Sequence, residues 1–108
     1  MKENYDAMIA HYEIALKFER EKNFSEAVKH FTLAADSGYG LAQYELGVCY
    51  EKGLGVEKDY AEAVKYYTLA AEQGVLAAML ELAGLYEIGI GVERDLDKAN
   101  YWHEQYKK

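Results

Sequence analysis

The sequence contains no proline and only one cysteine, Cys49, among its 108 residues. A single cysteine cannot form an intramolecular disulfide, which excludes the class of disulfide-stapled secreted domains. Basic residues are also few, because 12 Lys and Arg stand against 19 Asp and Glu and give a formal charge of −7. Nucleic acids and anionic membranes attract basic surfaces, so we expect neither as a ligand.

Long hydrophobic runs are absent as well, and no stretch approaches the ~20 apolar residues of a membrane-spanning helix. The first residues include Lys2, Glu3 and Asp6 and lack the apolar core of a signal peptide. Hydrophobic residues make up 51% of the chain and charged residues 29%, a composition typical of a folded protein. We therefore expect one soluble domain located in the cytoplasm.

The chain repeats itself with a period of 36 residues. Gly38, Gly53 and Gly55 are matched by Gly74, Gly89 and Gly91, and many alanine, leucine and tyrosine positions recur with the same offset. The N-terminal third follows the same pattern once a four-residue deletion is allowed. A fixed period in this range is typical of stacked-repeat architectures. The sequence predicts three units, at residues 5–37, 38–73 and 74–108.

Each unit is predicted to contain two helices. In the middle unit, apolar residues recur at helical spacing between positions 41 and 50, and Gly53 follows as a residue that readily ends a helix. Asp59 is a good N-cap for the second helix, and Glu62 stands three residues later, as in a capping box. Since one helix pair cannot bury its own apolar face, we predict an all-α solenoid of three antiparallel pairs.

The middle unit resembles the Sel1-like repeat, a relative of the tetratricopeptide repeat. The resemblance rests on the segments Ala42-Gln-Tyr-Glu-Leu-Gly47, Tyr50-Glu-Lys-Gly-Leu-Gly-Val56, Asp59-Tyr-Ala-Glu-Ala-Val64 and Ala70-Ala-Glu-Gln-Gly74. The third unit continues it with Glu87-Ile-Gly-Ile-Gly-Val92. The first unit lacks the Gly-x-Gly-Val loop and therefore looks more like a plain tetratricopeptide repeat. Glu57 and Glu93 stand where the family usually has a proline.

The resemblance implies a right-handed superhelix that serves as a non-enzymatic scaffold for proteins or peptides, often in bacteria. It also implies that the first helix of each pair lines the concave surface. A disulfide-rich branch of the family is described as binding β-lactam compounds and carries a cysteine pair in each repeat. Cys49 stands alone, so that activity is not carried over to this chain.

We predict that the concave surface binds a protein or peptide partner. The predicted contact residues are Tyr12, Leu16, Glu19, Arg20, Tyr44, Val48, Glu51, Lys52, Leu80 and Glu87. Apolar anchors inside a charged rim are typical of such surfaces, and the equivalent residues Glu19, Glu51 and Glu87 are predicted to form an acidic row. An alternative stays open, in which the tyrosines only pack the groove wall and the acids are only solvated.

Two further interpretations concern the C-terminal end and the net charge. Trp102 and Tyr106 lie on the last predicted helix, where no later helix covers them, so they are a candidate homodimer interface. The charge of −7 also admits an acidic inhibitor or immunity protein that blocks a basic site on a toxin or enzyme. Strong weakening of binding at high salt would favour the inhibitor over the groove.

No catalytic, cofactor-binding or metal site is predicted. His11, His30 and His103 fall at different repeat positions, and no two of them lie one turn apart on a predicted helix. Cys49 sits within a first helix, where a free thiol behaves as a small hydrophobic side chain. We therefore expect a protein that is not an enzyme.

Overall fold

A computed structural model describes residues 2–108, with side chains from residue 5 onward. Over this range the chain forms six α-helices and no strands: α1 (Lys2–Arg20), α2 (Phe24–Asp36), α3 (Gly40–Lys52), α4 (Tyr60–Glu72), α5 (Leu76–Ile88) and α6 (Leu96–Lys107). Each second helix packs against its own first helix, and α2 and α4 also pack against the first helix of the next pair, in a stack of 38 × 31 × 19 Å. The predicted all-α solenoid is confirmed. None of the described helices combines the length and hydrophobicity needed to cross a bilayer.

The predicted helix ends are confirmed by backbone geometry. Gly53 and Gly89 end α3 and α5 in the left-handed conformation, with φ of 72° and 86°. Side-chain oxygens of the N-cap residues accept hydrogen bonds from the amide three residues later. The distance is 3.1 Å at both Asp59 and Asp95 and 3.4 Å at Asn23.

The second half of the predicted capping box is not formed. The Asp59 amide instead donates to the Tyr50 carbonyl at 2.9 Å, which ties the start of α4 to the end of α3. The Glu62 carboxylate lies 3.9 Å from the Lys65 ammonium. The replacement of this glutamate by Lys98 in the third unit therefore removes no capping bond.

Close packing within the middle pair depends on Gly47. A Cβ atom at this position would lie 2.7 Å from Cδ1 of Tyr67, whose side chain is fully buried. The first and third units place Ala15 and Ala83 at the equivalent position, opposite Phe31 and His103 in place of Tyr67. The glycine therefore accommodates a tyrosine ring between α3 and α4.

Polar side chains also join the repeats. Gln43 is only 5% exposed, and its Nε2 donates to the Ala35 carbonyl at 3.2 Å. Its Oε1 accepts from Nε2 of Gln73 at 2.8 Å, and the same Gln73 nitrogen donates to the Gly38 carbonyl at 2.7 Å. These bonds tie the ends of α2 and α4 to the first turn of α3.

Candidate functional site

The predicted contact residues share one face of the first helices. On α1 and α3 they occupy positions i, i+4, i+7 and i+8, counted from Tyr12 and from Tyr44. On α5, Leu80 and Glu87 occupy the positions equivalent to Tyr44 and Glu51. We call this surface the first-helix face. Its half-buried members are Tyr12, Leu16, Glu19, Tyr44, Val48 and Glu51, and its exposed members are Arg20, Lys52, Leu80 and Glu87.

The two tyrosines of the first-helix face are anchored in the core and only partly exposed. The Tyr12 ring lies edge-on to Tyr39, with ring centroids 5.1 Å apart, and the Tyr44 ring lies 5.8 Å from Tyr67. Burial, with a further contribution from the Glu45 charge, raises the pKa of Tyr12 to about 12. The tyrosines therefore help to pack the wall, as the alternative interpretation held, and also present part of each ring to solvent.

The acidic surface is larger than the predicted row. Glu45 and Glu81 also belong to the first-helix face, and each is affected by an acid of the preceding repeat. The Glu19 charge raises the pKa of Glu45, and the Glu51 charge raises the pKa of Glu81. We call Glu19 with Glu45, and Glu51 with Glu81, the inter-repeat carboxylate pairs. Glu45 and Glu81 are 36 residues apart, so the repeat period of the sequence could have predicted that they occupy equivalent positions.

Glu45 is the carboxylate most altered by its surroundings. Burial is the main cause that raises its pKa from 4.5 to about 7, and the Glu19 charge adds to it. The Lys52 charge acts in the opposite direction and lowers the pKa of both Glu45 and Glu81. Ionising Glu45 therefore places a poorly solvated negative charge on the first-helix face.

The inter-repeat carboxylate pairs lack ion-pair partners among the described residues. Among the residues that the structure describes, no lysine or arginine forms an ion pair with any of these four carboxylates. Glu51 instead accepts a 2.5 Å hydrogen bond from the hydroxyl of Tyr67. Glu87, the third member of the predicted row, lies 3.8 Å from Nε2 of His103.

Cys49 lies beneath the same face and is 1% exposed. Burial, with contributions from Glu19 and Glu45, raises the pKa of its thiol to about 12. The thiol therefore stays protonated at neutral pH, which fits the predicted packing role. Within residues 5–108, whose side chains the structure describes, no three His, Cys, Asp or Glu side chains come together as a fully protein-ligated metal site would require.

The sequence did not predict the contact between His11 and His30. Their Nδ1 atoms lie 3.1 Å apart, and the Phe18 ring stacks on His30 with centroids 5.7 Å apart. Tyr50 and Tyr66 occupy the positions equivalent to Phe18 and His30 and stack in the same way. The histidine contact therefore extends an aromatic stack that recurs in the repeats. His11 and His30 are 19 residues apart and lie on different helices, so spacing along one helix could not predict their contact.

The two residues of the predicted end interface, Trp102 and Tyr106, differ in how far they are buried. Trp102 is half-buried against the last part of the core and lies edge-on to Tyr101, whereas Tyr106 is 40% exposed. Three positions of α6 that correspond to buried residues of α4 are polar. They are Asn100, His103 and Lys107, in place of Val64, Tyr67 and Ala71. Self-association through this end stays a prediction that depends mainly on Tyr106.

Two equivalent clefts lie under the Gly-x-Gly-Val loops, away from the first-helix face. One has a volume of about 450 Å³ beside Tyr50 and Asp59, and the other of about 380 Å³ beside Tyr86 and Asp95. The aspartates in both clefts are already engaged as N-caps. Neither cleft was predicted from the sequence.

Comparison with known proteins identifies the repeats. Residues 9–39, 40–75 and 76–105 each match the Sel1 repeat. The chain is similar to c5321, a protective antigen present in uropathogenic Escherichia coli strains, with 33% identity and a TM-score of 0.89. That match covers 93% of this chain and 22% of the antigen.

Two further similarities are informative. Cysteine rich protein B of Helicobacter pylori is 20% identical with a TM-score of 0.76, over 98% of this chain and 85% of that protein, and shows a shared fold. A 46-residue segment, 41% of this chain, is 46% identical to DAP3-binding cell death enhancer 1 of Rattus norvegicus. The chain spans 9% of that rat protein and about a fifth of the Escherichia coli antigen.

Proposed function

Because the chain belongs to the Sel1 repeat family, whose members are generally protein–protein interaction modules, we propose that it binds a protein partner on its first-helix face. The fold of this family is a non-catalytic interaction scaffold. The observation that most supports the proposed surface is the recurrence of Tyr12, Tyr44 and Leu80, one on each first helix. All three side chains are at least partly exposed, and apolar anchors of this kind dominate the energy of protein interfaces. The proposal includes the cytoplasmic location expected from the lone cysteine.

Site-specific photo-crosslinking would test the proposed surface. A benzophenone side chain would replace Leu80, which is 42% exposed on α5, or Leu69, which is 38% exposed on α4. Both proteins would be expressed and irradiated in the native host. A partner captured through position 80 and not through position 69 would support the proposal. Equal capture at both positions, or capture through position 69 alone, would refute it.

The alternative function, an acidic inhibitor of a basic site, uses the same side chains. Salt dependence does not separate the two functions, because the inter-repeat carboxylate pairs belong to the first-helix face itself. The partner's own activity separates them. An inhibitor abolishes that activity at equimolar concentration, whereas a scaffold leaves it intact.

Self-association through the C-terminal end is a separate part of the proposal. The exposed ring of Tyr106 supports it, while the polar residues of α6 that replace buried residues of α4 oppose it. Sedimentation velocity over a range of concentrations would test it. A dimer that disappears in Tyr106→Ser would support self-association, and a monomer at every concentration would contradict it.

A further inference from the structure

The contact between His11 and His30 is a departure from the repeat pattern. The second unit carries Gln43 and Tyr66 at the two equivalent positions, and the third unit has no histidine at either one. Tyr66 still stacks on Tyr50, so the second unit forms the same aromatic stack without an imidazole. Packing therefore explains an aromatic ring at position 30, but it does not explain two imidazoles in contact.

The separation of the two imidazoles matches the bite of a metal chelate. Nδ1 of His11 on α1 lies 3.1 Å from Nδ1 of His30 on α2. Transition metals bind imidazole nitrogen at about 2.0–2.1 Å, so two nitrogens on one ion are about 2.9 Å apart at a right angle and about 3.3 Å apart at the tetrahedral angle. The observed separation falls between these two values.

The protein also holds the two rings in a suitable arrangement. Their planes differ by only 27°, and the Phe18 ring stacks on His30 with an interplanar angle of 19°. Both histidines are half-buried, so an ion can reach them from solvent. In the free protein one Nδ1–H donates to the other Nδ1, and an ion replaces that proton when both rings carry their hydrogen on Nε2.

We infer that His11 and His30 together bind a divalent transition metal ion, such as Ni²⁺, Cu²⁺ or Zn²⁺, through their Nδ1 atoms. Imidazole nitrogen suits these ions, whereas Mg²⁺ and Ca²⁺ prefer oxygen ligands. Among residues 5–108 no third His, Cys, Asp or Glu joins the pair, so water fills the remaining coordination positions. The bound ion bridges α1 and α2 and stabilises the first unit, which is a property separate from the proposed partner binding.

Isothermal titration of the untagged protein with NiCl₂ would test the inference. The variants His11→Gln and His30→Tyr each introduce the residue that the second unit has at that position, so both should remain folded, as circular dichroism would verify. Each should bind Ni²⁺ about tenfold or more weakly than wild type, because a single imidazole loses the advantage of a second ligand held in place.

Two controls separate this site from general attraction of cations to an acidic protein. His103→Gln removes a histidine outside the pair and should leave the affinity for Ni²⁺ unchanged. Titration of the wild type with MgCl₂ should give no binding at the same concentrations, because magnesium does not favour imidazole ligands. Saturating Ni²⁺ should raise the melting temperature of the wild type but of neither pair variant.

NMR of the ¹⁵N-labelled imidazoles would identify the ligating atoms. On titration with Zn²⁺, the Nδ1 resonances of His11 and His30 should shift together while both Nε2 atoms stay protonated. The His103 ring should not respond. Coordination through Nε2 of either histidine of the pair would overturn the inference.

Three results of the titrations would also overturn it. The first is no binding of Ni²⁺ to the wild type at millimolar concentration, and the second is unchanged binding in both pair variants. The third is a loss of binding in His103→Gln alone, which would place the ion at His103 and Glu87, whose Nε2 and carboxylate oxygen lie 3.8 Å apart.

Discussion

The same glycine-to-alanine change should have opposite effects at two positions of the first helices. Gly47 lies within α3 and faces the buried ring of Tyr67, whereas a Cβ at Gly84 of α5 would meet nothing within 4 Å beyond its chain neighbours and its own helix backbone. We expect Gly47→Ala to destabilise the protein and Gly84→Ala to stabilise it. The contrast tests whether the Gly47 position is required for packing.

The expected magnitudes follow from the surroundings of each glycine. At position 47 the new methyl group would lie 2.7 and 2.8 Å from two carbons of the Tyr67 ring. The ring has little freedom to move, because it is fully buried and its hydroxyl is bonded to Glu51. Overpacking of this kind costs about 1–3 kcal/mol, partly offset by a gain of about 1 kcal/mol in helix propensity. At position 84 only the propensity gain of about 1 kcal/mol applies.

Urea denaturation followed by far-UV circular dichroism would measure both effects. We expect a free energy of unfolding up to about 2 kcal/mol lower than wild type for Gly47→Ala and about 1 kcal/mol higher for Gly84→Ala. The reasoning would be refuted if Gly47→Ala were as stable as Gly84→Ala. A double variant, Gly47→Ala with Tyr67→Phe, should lose less than the sum of its single changes. It copies the Ala15 and Phe31 combination of the first unit and frees the ring to shift.

The remaining predictions concern a hydrogen bond, a titrating group and a loop. Tyr67→Phe should lower the free energy of unfolding by about 1–2 kcal/mol in urea denaturation, because the bond to Glu51 is charge-assisted. As pH rises from 4.5 through about 7, the free energy of unfolding should fall more in the wild type than in Glu45→Gln. The reason is that the folded state holds the Glu45 proton more tightly than the unfolded state does. Parallel pH profiles of unfolding would contradict this. Gly55→Ala should lower the melting temperature much more than Gly38→Ala. Both glycines have positive φ, but a Cβ at position 55 would lie within 3 Å of the Phe24 backbone.

The repeat pattern made the fold predictable, because its signals are local. Gly53 and Asp59 mark where α3 ends and α4 begins, and the structure confirms both. The return bond of the capping box was not predictable in the same way. Its donor, the Asp59 amide, is taken by the Tyr50 carbonyl of the preceding helix, so the outcome depends on how the two helices meet.

The first-helix face was only partly predictable. Helical spacing placed Tyr12 and Tyr44 on it, and the 36-residue period would have added Glu45 and Glu81. The pairing of Glu45 with Glu19 could not be derived from spacing, because it joins residues of two repeats and depends on how the repeats stack. The contact between His11 and His30 likewise depends on how α1 packs on α2.

Two-dimensional NMR of the labelled protein would test most directly whether the first-helix face is the contact surface. On titration with the partner captured by photo-crosslinking, the account predicts the largest amide shifts in α1, α3 and α5, around Tyr12, Tyr44 and Leu80. Amides around Lys65 and Leu69 of α4 should move little. The largest shifts on the exposed side of α4, or at the end of α6 around Tyr106, would contradict the account.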